Sequence, residues 1–207
     1  MNIPNKITVS RIVIVLMMII ALFVLDLIPG FVSPYIGNSG INVVYLVVAV
    51  VFIIGALTDK LDGTLARKWN QVTDLGKFLD PIADKLLVDS LLLYLIVPHF
   101  SLDTLSISLW CVLVMIIRDL VVDALRLIAA NKGVVLAANG FGKAKTVLQM
   151  VAIPLVLLNG WPFTYFDASW GYFRIASIIV YLATLMSLLS GAIYVIKNIS
   201  VLKEKAK

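Results

Sequence analysis

The stretch TDKLDGTLARKWNQVTDLGKFLDPIADK, Thr58–Lys85, decides the fold. It carries Asp59, Asp62, Asp74, Asp80 and Asp84, five of the chain's twelve acidic residues, between the apolar runs Ile41–Leu57 and Ile82–Val97. Apolar runs approaching or exceeding about 18 residues mark membrane-spanning helices, so the stretch reads as a polar connection between two spans. Working outward, four further runs appear: Ile12–Ile28, Ile107–Ala130, Val147–Leu158 and Ile175–Ile196. The fifth in chain order, Val147–Leu158, is short for a bilayer and is expected to begin nearer Gly142. Over 207 residues the chain is 61% hydrophobic and 14% charged, with a mean hydropathy of +1.04, far outside the range of soluble domains. The expectation is an all-α polytopic membrane protein with six transmembrane helices, forming one integral-membrane domain over residues 1–207. The opening MNIPNKITVSRI mixes Ile3, Ile7 and Ile12 with Lys6 and Arg11. It is expected to lie along the interface as a short segment before an uncleaved first span.

The net charge of +5 has a location. With the N-terminus on the cytoplasmic side, Lys60, Arg67, Lys68 and Lys77 fall in one inner connection and Lys132, Lys143 and Lys145 in the next. Lys197, Lys203, Lys205 and Lys207 then close an inner C-terminus, and only Arg174 of seventeen basic residues lies on the outer side. That asymmetry is the positive-inside pattern, which accounts for the basic balance without nucleic acid as a partner. The outer connections hold prolines, glycines and aromatics. Trp161, Tyr165, Trp170 and Tyr172 read as an interfacial belt, and His99, the sole histidine, reads as a loop residue. Cys111, the sole cysteine, sits in an apolar run and reads as a core residue, which leaves no intrachain disulfide.

Asp59 and Asp62 are three apart at the end of the second run, and Asp80 and Asp84 are four apart at the start of the third. Each spacing puts a pair on one face of its own helix, and the short connection lets the faces meet near the inner membrane boundary. Carboxylates gathered in a partly dry site repel one another, and oxygen-ligated divalent cations relieve that repulsion. A second reading stands beside this one for Asp80 and Asp84. Asp80 before Pro81 fits a helix N-cap, and Asp84 then lies in a first turn where the dipole favours anions. Asp59 and Asp62 resist it, because anions at a helix C-terminus oppose the dipole. Asp74 reads as an ordinary loop carboxylate. Gly63, Ala66 and Gly76 leave room for a bulky ligand, and Arg67 is spaced to pair with an aspartate or a phosphate.

The residues Asp59, Asp62, Gly63, Ala66, Arg67, Gly76, Asp80 and Asp84 match D-x-x-D-G-x-x-A-R, eight residues, then G-x-x-x-D-x-x-x-D, at every fixed position. This resembles the signature of the CDP-alcohol phosphatidyltransferases. The segments NIPNKITVSRI and NGFGKAKTVLQM are further similar to the bacterial branch of that family that makes phosphatidylglycerophosphate. The resemblance implies six transmembrane helices, a homodimer and two magnesium or manganese ions. It implies transfer of a phosphatidyl group from CDP-diacylglycerol to glycerol 3-phosphate, with release of CMP. Asp59, Asp62 and Asp80 would hold the metals, with Asp84 as general base sharing in metal binding. Asp59, Asp62, Gly63, Ala66, Arg67 and Gly76 would border the CDP-linked donor. It also implies a bacterial cytoplasmic membrane, with the active site and both termini on the inner face.

An anionic acceptor calls for cations. Arg118 lies deep in the fourth run and lines up with Val122 and Arg126 at helical spacing, while Asp119 points to another side. Arg126, Lys143 and Lys145 flank the inner end. In the family reading these hold the acceptor phosphate, with Thr8 or Arg11 closing the pocket. The plainer readings are an ion pair from Arg118 to another helix, and positive-inside anchoring for the lysines. The competing functions are the same transfer to phosphatidylglycerol, inositol phosphate or serine, a membrane prenyltransferase, and a transporter. The last would not need these glycines at fixed offsets.

Overall fold

The computed structural model describes residues 2–37, 39–69, 73–100, 105–134, 136, 140–164, 166 and 174–199, without the side chains of 60, 65–67 and 77. Among the described residues six helices follow in order: α1 Ile3–Leu27, α2 Val43–Lys68, α3 Asp74–Tyr94, α4 Leu109–Asn131, α5 Gly140–Leu157 and α6 Ile175–Asn198. Among the described residues there is no strand, only an isolated antiparallel bridge between Tyr35 and Asn42. Of the described helices, four are long and apolar enough to cross a membrane: α1, α2 through Thr64, α5 and α6. In α3 and α4 the charges of Asp80, Asp84, Lys85 and Asp89, and of Arg118, Asp119, Asp123 and Arg126, interrupt the apolar sequence.

The core is apolar, and the exposed surface is apolar as well, unlike that of a soluble protein. On α1, Asn5, Thr8 and Arg11 are buried in line with Val15, Met18 and Leu22, at the three- and four-residue steps of one helical face. The opposite face exposes Met17, Ile20 and Phe23. Polar groups inward and large apolar groups outward is the arrangement that suits lipid as solvent.

The chain forms two compact units, residues 1–106 with 153–164, and residues 107–152 with 165–207. In the first, α1 packs on both α2 and α3. At Gly55 the two latter helices approach so closely that a Cβ would lie 3.0 Å from Leu87 Cδ2. Asn42 Oδ1 accepts from the amides of Val44 and Tyr45 at the start of α2, the bonding expected of an N-cap. At the end of α3, His99 stacks on Tyr94 at 3.8 Å, and its Nδ1 lies 3.1 Å from Asp26 Oδ1 of α1. His99 lies in a loop, as expected, and is packed into a junction there. In the second unit α4 packs along α6, with Val122, Leu125 and Tyr194 forming a small core. Cys111 is buried there as a free thiol.

Several boundaries differ from the sequence expectation. The interfacial segment is not separate: α1 runs unbroken through 25 residues, because Pro4 sits in its first turn and Thr8 and Arg11 are drawn inward by partners on α2 and α3. The second helix continues past Leu57 to Lys68, so Asp59 and Asp62 lie in its interior and not at its C-terminal end. The third begins eight residues before Ile82, at Asp74. Its N-cap is Thr73, whose hydroxyl accepts from the Gly76 amide at 3.1 Å, so Asp80 caps nothing and Pro81 lies within the helix. Asp74 is the first helical residue, where its charge favours the dipole. The fifth helix starts at Gly140, two residues before the expected Gly142. Of the aromatic belt, Trp161 is exposed, while Tyr165, Trp170 and Tyr172 lie outside the described residues.

Candidate active site

The three-residue polar ladder of α1 meets the carboxylates of α2 and α3 in the first unit. The Arg11 guanidinium, 3% exposed as a residue, donates from one terminal nitrogen to Asp59 Oδ1 at 2.6 Å and Asp84 Oδ1 at 3.1 Å. Its other terminal nitrogen donates to Asp62 Oδ2 at 2.5 Å. The Thr8 hydroxyl lies 3.1 Å from Asp62 Oδ2 and 3.3 Å from Asp80 Oδ1, and donates to one at a time. All four motif aspartates are thus gathered around two residues of α1. One turn earlier, Asn5 Nδ2 donates to Thr73 Oγ1 at 2.8 Å, tying α1 to the cap of α3.

Among the described residues charge is unbalanced here: four carboxylates gather around one guanidinium, and Asp62, only 2% exposed, has a buried Oδ1 with no partner. Asp80 precedes the third apolar run. Burial, followed by the neighbouring charge of Asp62, raises the pKa of its carboxyl from the ordinary value. Among the described residues no three acidic groups already close on one point as a metal cage, since Arg11 stands between them. The donor set still fits a hard divalent cation: oxygen ligands in excess of the local positive charge, one of them buried and unpartnered.

A cavity of about 250 Å³ opens beside Arg11 between α1 and α2, walled mainly by Ile7, Ile14, Val51 and Ile54. It is an apolar space adjoining a charged one. Gly76 does not open a wall of this site. A Cβ there would meet Asn5 Oδ1 at 3.0 Å and Thr73 Oγ1 at 3.3 Å, so the glycine admits Asn5. Gly63 lies on α2, half-buried, one residue beyond Asp62. The side chains of Ala66 and Arg67 fall outside the described residues.

The cations expected to hold the acceptor, Arg118, Arg126, Lys143 and Lys145, belong to the second unit. Arg118 and Asp119 touch despite being neighbours on α4, with one guanidinium nitrogen 2.7 Å from Asp119 Oδ1. The long arginine arm bends back, which helical spacing alone did not suggest. Lys145 Nζ donates to Asp119 Oδ2 at 2.6 Å, and the other Arg118 terminal nitrogen to Ser190 Oγ of α6 at 2.5 Å. Arg126 donates from Nε to Tyr194 Oη at 3.2 Å and lies over that ring at 5.6 Å. Lys143 is exposed on α5. Thr8 and Arg11, expected with this group, lie in the first unit among the carboxylates.

Sequence reasoning missed Asn5, Thr73, Ser190 and Tyr194, and it missed Asp119 as the bridge between two cations. For Asn5 a signal existed: Asn5, Thr8 and Arg11 recur every three residues on one face of an otherwise apolar helix.

A family model described as CDP-alcohol phosphatidyltransferase matches residues 1–196. The chain is 40% identical over 203 residues to the CDP-diacylglycerol–glycerol-3-phosphate 3-phosphatidyltransferase of Bacillus subtilis, covering 98% of this chain and 97% of that protein. It is 34% identical to the Mycoplasma pneumoniae protein of the same name, over 100% of this chain and 91% of that one. The Rickettsia felis protein of that name is 31% identical over 93% of each. The match runs through both units and takes in every motif aspartate, and on that footing this chain belongs to the CDP-alcohol phosphatidyltransferase family.

Proposed function

We propose that the protein transfers the phosphatidyl group of CDP-diacylglycerol to glycerol 3-phosphate, giving phosphatidylglycerophosphate and CMP. The observation that carries this reading is the gathering of Asp59, Asp62, Asp80 and Asp84 around Arg11 and Thr8. Its setting is a chain up to 40% identical to proteins bearing that activity in their names. An oxygen of the acceptor hydroxyl forms a new bond to the phosphatidyl phosphorus. The bond from that phosphorus to the CMP phosphate oxygen breaks, and its electron pair leaves with CMP. The hydroxyl proton passes to the Asp84 carboxylate, which makes Asp84 the general base.

Asp59, Asp62 and Asp80, with a share from Asp84, are the residues that would hold magnesium or manganese. Such ions, when bound, polarise phosphoryl oxygens and neutralise charge on the leaving phosphate. Gly63, Ala66 and Arg67 border the cytidine diphosphate in this reading. Thr8 and Arg11 are assigned to the donor side as well, supported by their bonds to the carboxylates. The apolar cavity beside Arg11 suits a lipid-linked substrate. Arg118, Arg126, Lys143 and Lys145 hold the acceptor phosphate as fixed positive charge, in which an arginine fork matches phosphate geometry. The protein is assigned to the bacterial cytoplasmic membrane as a homodimer with six spans, both termini and the active site inward, in keeping with the distribution of lysine and arginine.

The test is an acceptor panel: purified protein in lipid, CDP-diacylglycerol, magnesium, and each candidate alcohol, scored by CMP release and lipid product. Glycerol 3-phosphate is expected to give the highest turnover, and chelation of divalent ions to stop it. Equal or greater turnover with phosphatidylglycerol, inositol phosphate or serine overturns the named acceptor. Turnover of a prenyl diphosphate in place of CDP-diacylglycerol overturns the reaction itself.

A further inference from the structure

The end of the first unit remote from the carboxylates holds a second cluster of polar and aromatic groups. Thr8 and Arg11 stand near the start of α1, whereas Asp26 stands in its last turn, about 22 Å from Arg11 at 1.5 Å per residue. There Asp26 meets His99, which follows α3. Both ring nitrogens of His99 face oxygen. Nδ1 lies 3.1 Å from Asp26 Oδ1, and Nε2 lies 3.0 Å from the carbonyl oxygen of Tyr94. An ionised carboxylate and a backbone carbonyl accept hydrogen bonds and have none to give. A neutral imidazole carries one N–H and can bond only one of them, whereas an imidazolium donates to both.

The ring contacts agree with that charge. His99 lies flat on Tyr94, with centroids 3.8 Å apart and planes 1° from parallel. Neutral rings favour offset or edge-on contacts with centroids farther apart, while a cation over an aromatic face is attracted by its quadrupole. The backbone is fixed as well. The His99 amide donates to Tyr45 Oη of α2 at 3.3 Å. Phe100, next in the chain, has a φ of 66°, which is uncommon outside glycine. Its ring packs against Phe31 and Tyr45, with centroids at 5.8 and 5.5 Å. Partners on α1, α2 and α3 thus hold His99 where both nitrogens meet acceptors.

We infer that His99 is a pH-sensitive clasp: its imidazolium pairs with Asp26 and ties the end of α1 to the end of α3 for as long as both nitrogens keep their hydrogens. Loss of one proton removes a donor, the charge opposite Asp26 and the attraction to Tyr94 together. A folded state that needs this proton binds more protons than the unfolded chain, so its stability falls as pH rises. The fall belongs to the range in which an imidazole changes charge, about pH 5–8. The titratable groups facing His99 from the packed helices are Asp26 of α1, Tyr45 of α2 and Tyr94 of α3, and Asp26 supplies the opposing charge. The side chains of His99 and Asp26 are 18% and 33% exposed, so water reaches both and the clasp contributes no more than a surface pair does. This end of the unit is therefore firm in mild acid and looser in mild alkali.

His99 is the sole histidine, so nitrogen-15 labelling of histidine gives a single pair of ring signals from the protein in lipid nanodiscs. At about pH 5, the acid end of the imidazole range, both nitrogens are expected to carry hydrogen. A ring nitrogen without hydrogen there overturns the charged clasp. Thermal unfolding is then followed across the same range for the unaltered protein, Asp26→Asn and His99→Gln. The unfolding temperature of the unaltered protein is expected to fall more steeply with pH than that of either variant, the difference reaching about 2–4 °C. Equal slopes in the unaltered protein and Asp26→Asn overturn the clasp as the pH-sensitive element, whatever the ring signals show. If His99→Gln fails to fold, Asp26→Asn, which keeps the shape of the carboxylate, carries the comparison. The ring signals of the unaltered protein decide the charge in every case.

Discussion

A guanidinium buried among carboxylates removes only one unit of charge, and Arg11 bonds three acidic groups. Removing one partner of a buried ion pair leaves an uncompensated charge and costs roughly 3–5 kcal/mol. Arg11→Met is therefore expected to destabilise the protein by about that much when divalent ions are chelated. Part of the loss should return on adding magnesium, because the same oxygens would then be neutralised by the ion. Thermal unfolding of the variant with and without magnesium measures this, and equal stability in both conditions would show that no cation binds these carboxylates. Asp84 is separable from that structural role. Its side chain is 48% exposed and its bond to Arg11 is the longest of the three. Asp84→Asn keeps the shape and removes the basic oxygen. It is expected to lower kcat by about 10²–10⁴-fold with an unfolding temperature near that of the unaltered protein. Near-normal turnover would remove Asp84 as the base.

At the scale of the helices, the paired spacings of Asp59 with Asp62 and Asp80 with Asp84 were enough to place two carboxylate faces toward one another. What the same residues concealed was where the helices stop. Hydropathy falls at Thr58 because charged side chains begin there, but the backbone hydrogen-bond ladder is indifferent to that change and runs on to Lys68. Asp80-Pro81 has the composition of a helix start, yet Thr73 caps α3 two turns earlier, with Asn5 of α1 bonded to the cap. That bond joins residues 68 positions apart, beyond the reach of local pattern. The partners of Arg11 were hidden for a related reason. A basic residue near the N-terminus reads equally as an anchor or a phosphate ligand until its neighbours on α2 and α3 are known. Gly191 illustrates the same limit, since only the packing of α4 on α6 reveals that Arg118 fills the space above it. Gly191→Ala places a Cβ 2.7 Å from Arg118 Cγ, near the base of the side chain where little can give. Overpacking of this kind costs about 1–3 kcal/mol. The expected result is a lower unfolding temperature together with a several-fold higher Michaelis constant for the acceptor. A change in stability with the acceptor constant unaltered would separate Arg118 from acceptor binding.

For the whole molecule, composition established membrane residence, and the positions of lysine and arginine suggest an orientation. The number of crossings turns on α3 and α4, which carry more charged residues within their length than a plain apolar span. Charge does not forbid crossing when it faces the protein interior. Arg118 and Asp119 are largely buried, and so is the Leu87, Leu91 and Leu95 face of α3. A chain crossing six times and one crossing four times agree about most connections: Lys143 is inward and Trp161 outward in either. They disagree about the connection between α3 and α4, which is outward with six crossings and inward with four. Cys111 is the only native cysteine and is buried, so replacing it with serine yields a background free of thiols. In that background, Ser106→Cys at an exposed position of the disputed connection is expected to react with an impermeant maleimide in intact cells. Trp161→Cys serves as the outward control and Lys143→Cys as the inward one. Labelling at residue 106 only after the cells are opened would mean that α3 and α4 do not cross. The positive-inside argument would then stand for four helices alone.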